Sequence, residues 1–262
     1  MTNMELPEIE IMRRNLANKI INKKIICFNV LDLKVSRGNK DLFQQKINNS
    51  YFKDIKRYGD LLIFKLASGY YILINLYSRG NLIYTKEELK DKNIKAIFKF
   101  EDDSKMYFIN SGQFGYLQIL SDSEIKRLSV NFGLDPTSKD FSFLAFKKLF
   151  RNKTVDVKSF LMNKKLLAGI GTIYSDEICC EARVVPYKSV RFLEESEIKR
   201  LYSAIRKIFK KSIEYNRLNG DYSKFIYVYN RENKKCLKCG LGIVRKILLN
   251  DRKTFFCPVC QK

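Results

Sequence analysis

Histidine is absent from all 262 residues. That absence excludes Ser-His-Asp and Cys-His catalysis, histidine metal ligands and proton transfer by imidazole. Any chemistry must run on carboxylates, amines, thiols or a metal held by Cys and Asp/Glu. Tryptophan is absent too, and acidic residues are scarce: 28 Asp+Glu stand against 50 Lys+Arg, for a net charge of +22. No apolar run reaches the roughly 18 residues needed to cross a bilayer, so no membrane partner is expected. The N-terminus has no basic stretch followed by a long apolar core, so no signal peptide is expected. Internal repeats and low-complexity tracts are also missing.

What is present describes a folded chain. Hydrophobic residues make up 45% and aromatics 13%, which disordered chains do not approach. The length suits one large domain or two modest ones. A charge of +22 repels itself within a compact fold and fits a polyanionic partner. A background rich in Ile, Asn and Lys is the competing cause. The seven cysteines are odd in number and four of them form two close pairs, a pattern of intracellular metal binding and not of a disulfide framework.

Along the chain, Ile9, Met12, Leu16 and Ile20 recur at helical spacing behind Pro7, predicting a helix over 7–20. From 24 to 120, short apolar or alternating runs follow one another between turn signals such as Ala67-Ser68-Gly69. They predict a mostly antiparallel sheet closed as a sandwich or barrel. A helix is expected over 122–130. Gly133-Leu134-Asp135-Pro136 looks like a linker, and helices are expected near 139–150, 154–163, 172–182 and 194–216. The layout is α+β, divided at 1–130, 131–230 and 231–262.

Cys236-Leu-Lys-Cys239 and Cys257-Pro-Val-Cys260 are separated by 17 residues. Two thiolate pairs at this spacing can close a tetrahedral zinc site. Ile243–Leu249 and Thr254–Phe256 alternate like strands, with Asn250-Asp251 where a tight turn would fall. So short a hairpin would draw its folding energy from the metal. Four cysteines leave no open position, which argues against a catalytic zinc. Arg252 is placed at or beside the hairpin tip, a solvated charge or a nucleic-acid probe.

Upstream, Gly169-Ile-Gly171-Thr172 precedes a helix start. Glycine-rich backbone there is either a simple tight turn or a phosphate cradle. Lys158, Lys164 and Lys165 nearby favour an anion. Glu5, Glu8 and Glu10 crowd the first helix. Acidic residues stabilise a helix N-terminus through its dipole, but Glu5 precedes the helix and could face a cleft.

These pieces together resemble the formamidopyrimidine-DNA glycosylase/endonuclease VIII family of base-excision repair. Glu5-Leu-Pro-Glu-Ile-Glu10 resembles its N-terminal E-L-P-E-V-E. Ala168-Gly-Ile-Gly-Thr-Ile-Tyr-Ser-Asp-Glu177 resembles its helix-two-turn-helix motif, and Phe225-Ile-Tyr-Val-Tyr229 with Arg231 resembles its approach to the zinc finger. The two cysteine pairs resemble the finger in order and spacing. The resemblance implies a β-sandwich, a helix-two-turn-helix domain and a hairpin holding one structural Zn2+. It implies damaged double-stranded DNA in a basic cleft, a flipped-out nucleotide, and a monomer located in the cytoplasm at the nucleoid. In such enzymes an N-terminal amine, usually of proline, attacks the sugar. The next residue, here Glu5, shuttles protons, and Glu8 matches a second acidic position. Arg252 would grip phosphates beside the lesion and Phe114 would wedge into the stack. Arg79, Lys158, Gly171, Thr172 and Tyr229 complete the expected DNA contacts.

The departures from that pattern are specific. Met4 stands at the proline position with three residues ahead of it, so its nitrogen is an amide unless translation starts at Met4. Asp60, in Arg57-Tyr-Gly-Asp60, stands where the family usually has lysine. Thr172 replaces an asparagine. Asn75 stands where a histidine is common, Ser78 replaces a void-filling methionine, and Gly112 and Gln113 replace two arginines. Two functions are expected from this mixture. One is a glycosylase with its AP-lyase activity weakened or lost, in which Glu5 or Asp60 activates water. The other is a catalytically silent protein that binds damaged DNA.

Overall fold

The structure, a computed structural model, describes residues 4–38, 40–77, 79–112, 114–130, 132–219 and 226–262. Ser78, Gln113 and Phe225 lie outside the described residues. The chain forms two compact units, Met1–Asn131 and Phe132–Lys262.

The first unit opens with helix α1, Leu6–Ile20. Ile9, Leu16 and Ile20 bury one stripe and Met12 packs at its margin, as the 3.6-residue period requires. The Glu8 carboxylate accepts the backbone N–H of Glu5 at 3.0 Å, satisfying a donor at the helix start. Strands β1 (Ile25–Val30) and β2 (Ser36–Arg37) precede helix α2 (Lys40–Ile47). Then come β3 (Phe52–Tyr58), β4 (Leu61–Leu66), β5 (Tyr71–Asn75), β6 (Gly80–Thr85), β7 (Ile94–Phe100), β8 (Lys105–Asn110), β9 (Tyr116–Leu120) and helix α3 (Asp122–Val130).

One sheet has the order β1-β7-β8-β6 and the other β2-β9-β5-β4-β3. All pairings are antiparallel except β2 with β9. The inner faces meet in one aromatic core. Phe98 of the first sheet lies 5.8 Å from Phe52 of the second, which in turn lies 5.1 Å from Phe64. This is the sandwich expected from the alternating runs. The run Ile25–Val35 is not a single strand, because it breaks after Val30 into a 3-10 turn at Leu33–Val35. Helix α2 was not anticipated. Phe43 and Ile47, four apart, are fully buried and anchor it.

The second unit holds α4 (Phe143–Lys148), α5 (Val157–Leu161), α6 (Thr172–Ala182), α7 (Glu195–Asn219), and strands β10 (Arg245–Leu249) and β11 (Arg252–Phe256). Helices α4 and α5 are shorter than the expected segments because their caps set the start. Ser142 Oγ accepts from the Ala145 N–H at 3.2 Å, and Asp156 Oδ1 from that of Ser159 at 2.7 Å. Nearly every residue of α6 is buried, which makes it the axis of the unit. Tyr174 packs edge-on against Phe209 of α7 at 5.4 Å. The Gly133–Leu134 segment does not hang free as a linker. Its N–H groups donate to the carbonyls of Lys164 and Leu166, both at 2.9 Å.

Candidate functional site

Strands β10 and β11 pair from Arg245↔Phe256 to Leu249↔Arg252. The connecting Asn250 and Asp251 both take left-handed backbone, with φ of 48° and 60°. Asn and Asp tolerate that conformation, and two such residues form the loop that matches strand twist. Arg252 is exposed at the first position after it.

Below the hairpin, the four sulfurs of Cys236, Cys239, Cys257 and Cys260 all lie within 4.8 Å of one another. Cys236 and Cys260 are 3.9 Å apart, Cys239 and Cys257 3.7 Å. A tetrahedron with metal–sulfur bonds of about 2.3 Å has edges of about 3.8 Å. The thiols therefore fit one tetrahedral metal ion. Gly242 sits so close to Cys257 Sγ that any Cβ there would collide with the sulfur.

Helix α6 braces this hairpin through two adjacent buried carboxylates. Asp176 Oδ1 meets the Lys158 ammonium at 2.7 Å, and its Oδ2 accepts the Phe255 N–H at 2.9 Å. Glu177 accepts three backbone N–H groups, from Tyr227 at 2.7 Å, Val228 at 3.0 Å and Tyr229 at 2.8 Å. Burial pushes both carboxyls up, to about 7, against the pull of these partners.

The placement of Lys158 corrects a sequence expectation. It is 1% exposed, and its ammonium also donates to the Lys253 carbonyl at 2.8 Å. It is a strut between α6 and the finger, not a surface anion contact. Tyr229 is half-buried, donates its N–H to Glu177, and sets its ring edge-on to Phe255 at 5.4 Å. Gly171 caps α6, and Thr172 is its first residue. Gly169 takes φ 82°, which only glycine adopts without cost.

In the first unit, Glu5 and Glu8 are buried at the head of α1, and Met4 packs against the core. Glu10 is a hub: Arg13, Arg14 and Arg57 all reach its carboxylate, at 2.9, 2.7 and 3.1 Å. Burial works to raise this carboxyl, but the arginine hydrogen bonds and charges outweigh it and hold it at about 2. Arg57 also donates to the Gly59 carbonyl at 2.9 Å. The two-residue Gly59–Asp60 turn joining β3 and β4 is thereby tied to α1. Sequence reasoning named Arg57 only as part of a motif and missed this link.

Two loops of the first unit are fastened by Asn110. Its side-chain amide donates to the Leu76 carbonyl at 3.0 Å, and its oxygen accepts the Gly112 N–H at 2.6 Å. Phe114 and Arg79 stand on these loops and both are exposed. No sequence signal singled out Asn110.

The chain is thus a β-sandwich unit followed by a helical unit that bears a four-thiol hairpin. The family model described as formamidopyrimidine-DNA glycosylase N-terminal domain matches residues 4–117, and that described as formamidopyrimidine-DNA glycosylase H2TH domain matches 132–221. The chain is 31% identical to the formamidopyrimidine-DNA glycosylase of Pelotomaculum thermopropionicum, over 98% of this chain and 99% of that protein. It is 32% identical to the one from the Wolbachia of Brugia malayi, with the same coverage. Among solved structures, the Lactococcus lactis enzyme bound non-covalently to DNA containing an AP site superposes with a TM-score of 0.92, at 29% identity, covering 98% of this chain and 99% of that one. The same enzyme with FAPY-dG DNA gives 0.91 at 28%, covering 98% and 100%. The chain belongs to the formamidopyrimidine-DNA glycosylase family.

Proposed function

We propose that this protein binds damaged double-stranded DNA as a monomer, flips the lesion out of the stack, and hydrolyses its N-glycosidic bond. The full-length likeness to glycosylases solved on damaged DNA, with Glu5 kept at the head of α1, carries this proposal. In the hydrolysis, Glu5 or Asp60 takes a proton from water. The water oxygen bonds to the anomeric carbon as the bond from that carbon to the base nitrogen breaks, and the base leaves with a proton.

The AP-lyase step is weakened or lost. It needs an amine at the position of Met4, and a nucleophile displaced by even an ångström or two loses most of its advantage. Asp60 further reverses the charge of the assisting lysine. The same two replacements support a second function, a silent protein that binds damage without cleaving.

The four thiolates hold one structural Zn2+, which when bound stabilises the hairpin carrying Arg252. Arg252, Arg79, Tyr229, Gly171 and Thr172 contact the DNA, with Phe114 as the wedge. The +22 charge supports a polyanionic partner and a place at the nucleoid in the cytoplasm. Among the described residues no helix is long and apolar enough to cross a membrane.

Single-turnover excision over a panel of lesion duplexes tests the proposal. Wild type should release at least one base, and Glu5→Gln should slow that release by about 10²–10⁴-fold. Release by neither protein, with tight binding retained, would establish the silent function instead.

A further inference from the structure

Phe114 has an exposed neighbour that none of the expected contacts includes. Its ring is 62% exposed, and 5.2 Å away lies the ring of Tyr77, 47% exposed and inclined at 53°. Tyr77 sits at φ 51°, a left-handed conformation in which a bulky aromatic is an outlier. Such strain is retained where the surroundings over-determine it, and it clusters where molecules are bound. A half-exposed ring at a strained position returns little to folding.

The surroundings are firm. The Tyr77 N–H donates to Asn75 Oδ1 at 2.9 Å. Buried Asn110 ties the Leu76 carbonyl to the Gly112 N–H, as described above. Gly115 presses on the Asn110 amide and Gly80 on the Leu76 carbonyl, each too closely for any Cβ. One buried side chain thus bonds to the backbone of both Leu76 and Gly112, close in sequence to the two rings. In sequence, Tyr77 immediately precedes Ser78, the small residue at the position of the family's void-filling methionine.

We propose that Tyr77 and Phe114 form a two-ring platform that enters the base stack beside the lesion, with Tyr77 stacking on an unpaired base and supplying the bulk that Ser78 lacks. The proposal rests on the damaged-DNA function given above. Every base presents a π-face, so such stacking tolerates any sequence opposite the lesion. An uncharged ring also adds nothing to the salt dependence.

Binding of wild type, Tyr77→Gly and Tyr77→Phe to a duplex carrying a tetrahydrofuran abasic analogue opposite 2-aminopurine tests it. Glycine accepts the φ at 77 without strain but loosens the chain, so Tyr77→Asn, which tolerates the same φ, should show the same defect. Tyr77→Gly should lose about tenfold in its preference for the abasic over the intact duplex. It should also lose most of the 2-aminopurine fluorescence change, while its salt slope equals that of wild type. Tyr77→Phe should keep both signals. Wild-type signals from Tyr77→Gly, or an equal loss in Tyr77→Phe, would overturn the stacking role. A wild-type protein without any preference for the abasic duplex would instead defeat the damaged-DNA function itself.

Discussion

Lys158 and Asp176 form an ion pair at 2.7 Å inside the helical unit, with side chains 1% and 0% exposed. The pair joins α5 to α6, and each partner reaches on to β11. Lys158 donates to the Lys253 carbonyl and Asp176 accepts the Phe255 N–H. The finger is therefore anchored by its second strand to the helix that follows the Gly169–Gly171 loop.

Breaking that pair on one side leaves a buried charge without compensation. Lys158→Met should cost about 3–5 kcal/mol in denaturant unfolding. The double variant Lys158→Met/Asp176→Leu should cost less than Lys158→Met alone, because no lone charge remains. A single variant as stable as wild type would show that the pair adds no net stability, the Asp176 carboxyl taking up a proton once the lysine is gone.

The four thiols fit one tetrahedral ion, so elemental analysis should find one zinc per chain. Cys257→Ser, at one of the two fully buried cysteines of the four, should abolish that stoichiometry. Stripping the metal with a chelator should remove DNA binding and lower the melting temperature, since so small a hairpin draws its folding energy from the ion. A chain purified with no metal, yet fully able to bind, would contradict the assignment.

Glu10 gives the stability an acid limb. Its carboxyl is held at about 2 in the fold, below the ordinary glutamate value, by Arg13, Arg14 and Arg57 acting against burial. A depressed carboxyl stabilises above its unfolded value and loses that contribution as pH falls through the folded one. Wild type should exceed Glu10→Gln by on the order of 2 kcal/mol near pH 6, allowing for water around the arginines. The difference should close between about pH 4.5 and pH 2. Urea titrations at stepped pH check this, and a constant gap would refute it.

Binding to duplex DNA should weaken steeply with salt, because several phosphates are neutralised at once. Arg252→Ala should reduce the slope of log affinity against log salt by about one. An unchanged slope would remove Arg252 from the phosphate contacts.

Borohydride trapping on abasic DNA separates the chemistries. If Met4 is internal its nitrogen is an amide, and with Asp60 in place of lysine no covalent adduct should then accumulate on gels. A trapped adduct, combined with an intact mass showing where the natural N-terminus lies, would restore the amine route and defeat both the monofunctional and the silent functions.

How much of this was legible in the sequence follows from distance along the chain. Helix α1 could be read because Ile9, Leu16 and Ile20 repeat with the helix's own period. The four-thiol cluster could be read because each Cys-x-x-Cys pair is local and the pairs close through one short hairpin. Asn250-Asp251 announced the turn because few residues accept its backbone angles. Lys158 was misjudged for the opposite reason. Its partners lie 18 and 95 residues away, and a lone lysine near a glycine loop looks like an anion contact until they are seen.

By itself, the sequence determined the family, the order of sandwich, helices and finger, and the four cysteines that cluster in it. Those properties reside in residue types and short spacings. Tertiary structure alone decided that Lys158 is a strut, that Glu177 gathers three N–H groups some 50 residues downstream, that Glu10 collects three arginines, and that Asn110 bonds to the backbone of both Leu76 and Gly112. Each depends on which distant backbone groups share a buried space with a side chain. Burial is what converts an ordinary lysine, glutamate or asparagine into a fixed part of the site, because a polar group removed from water must find its partners within the fold.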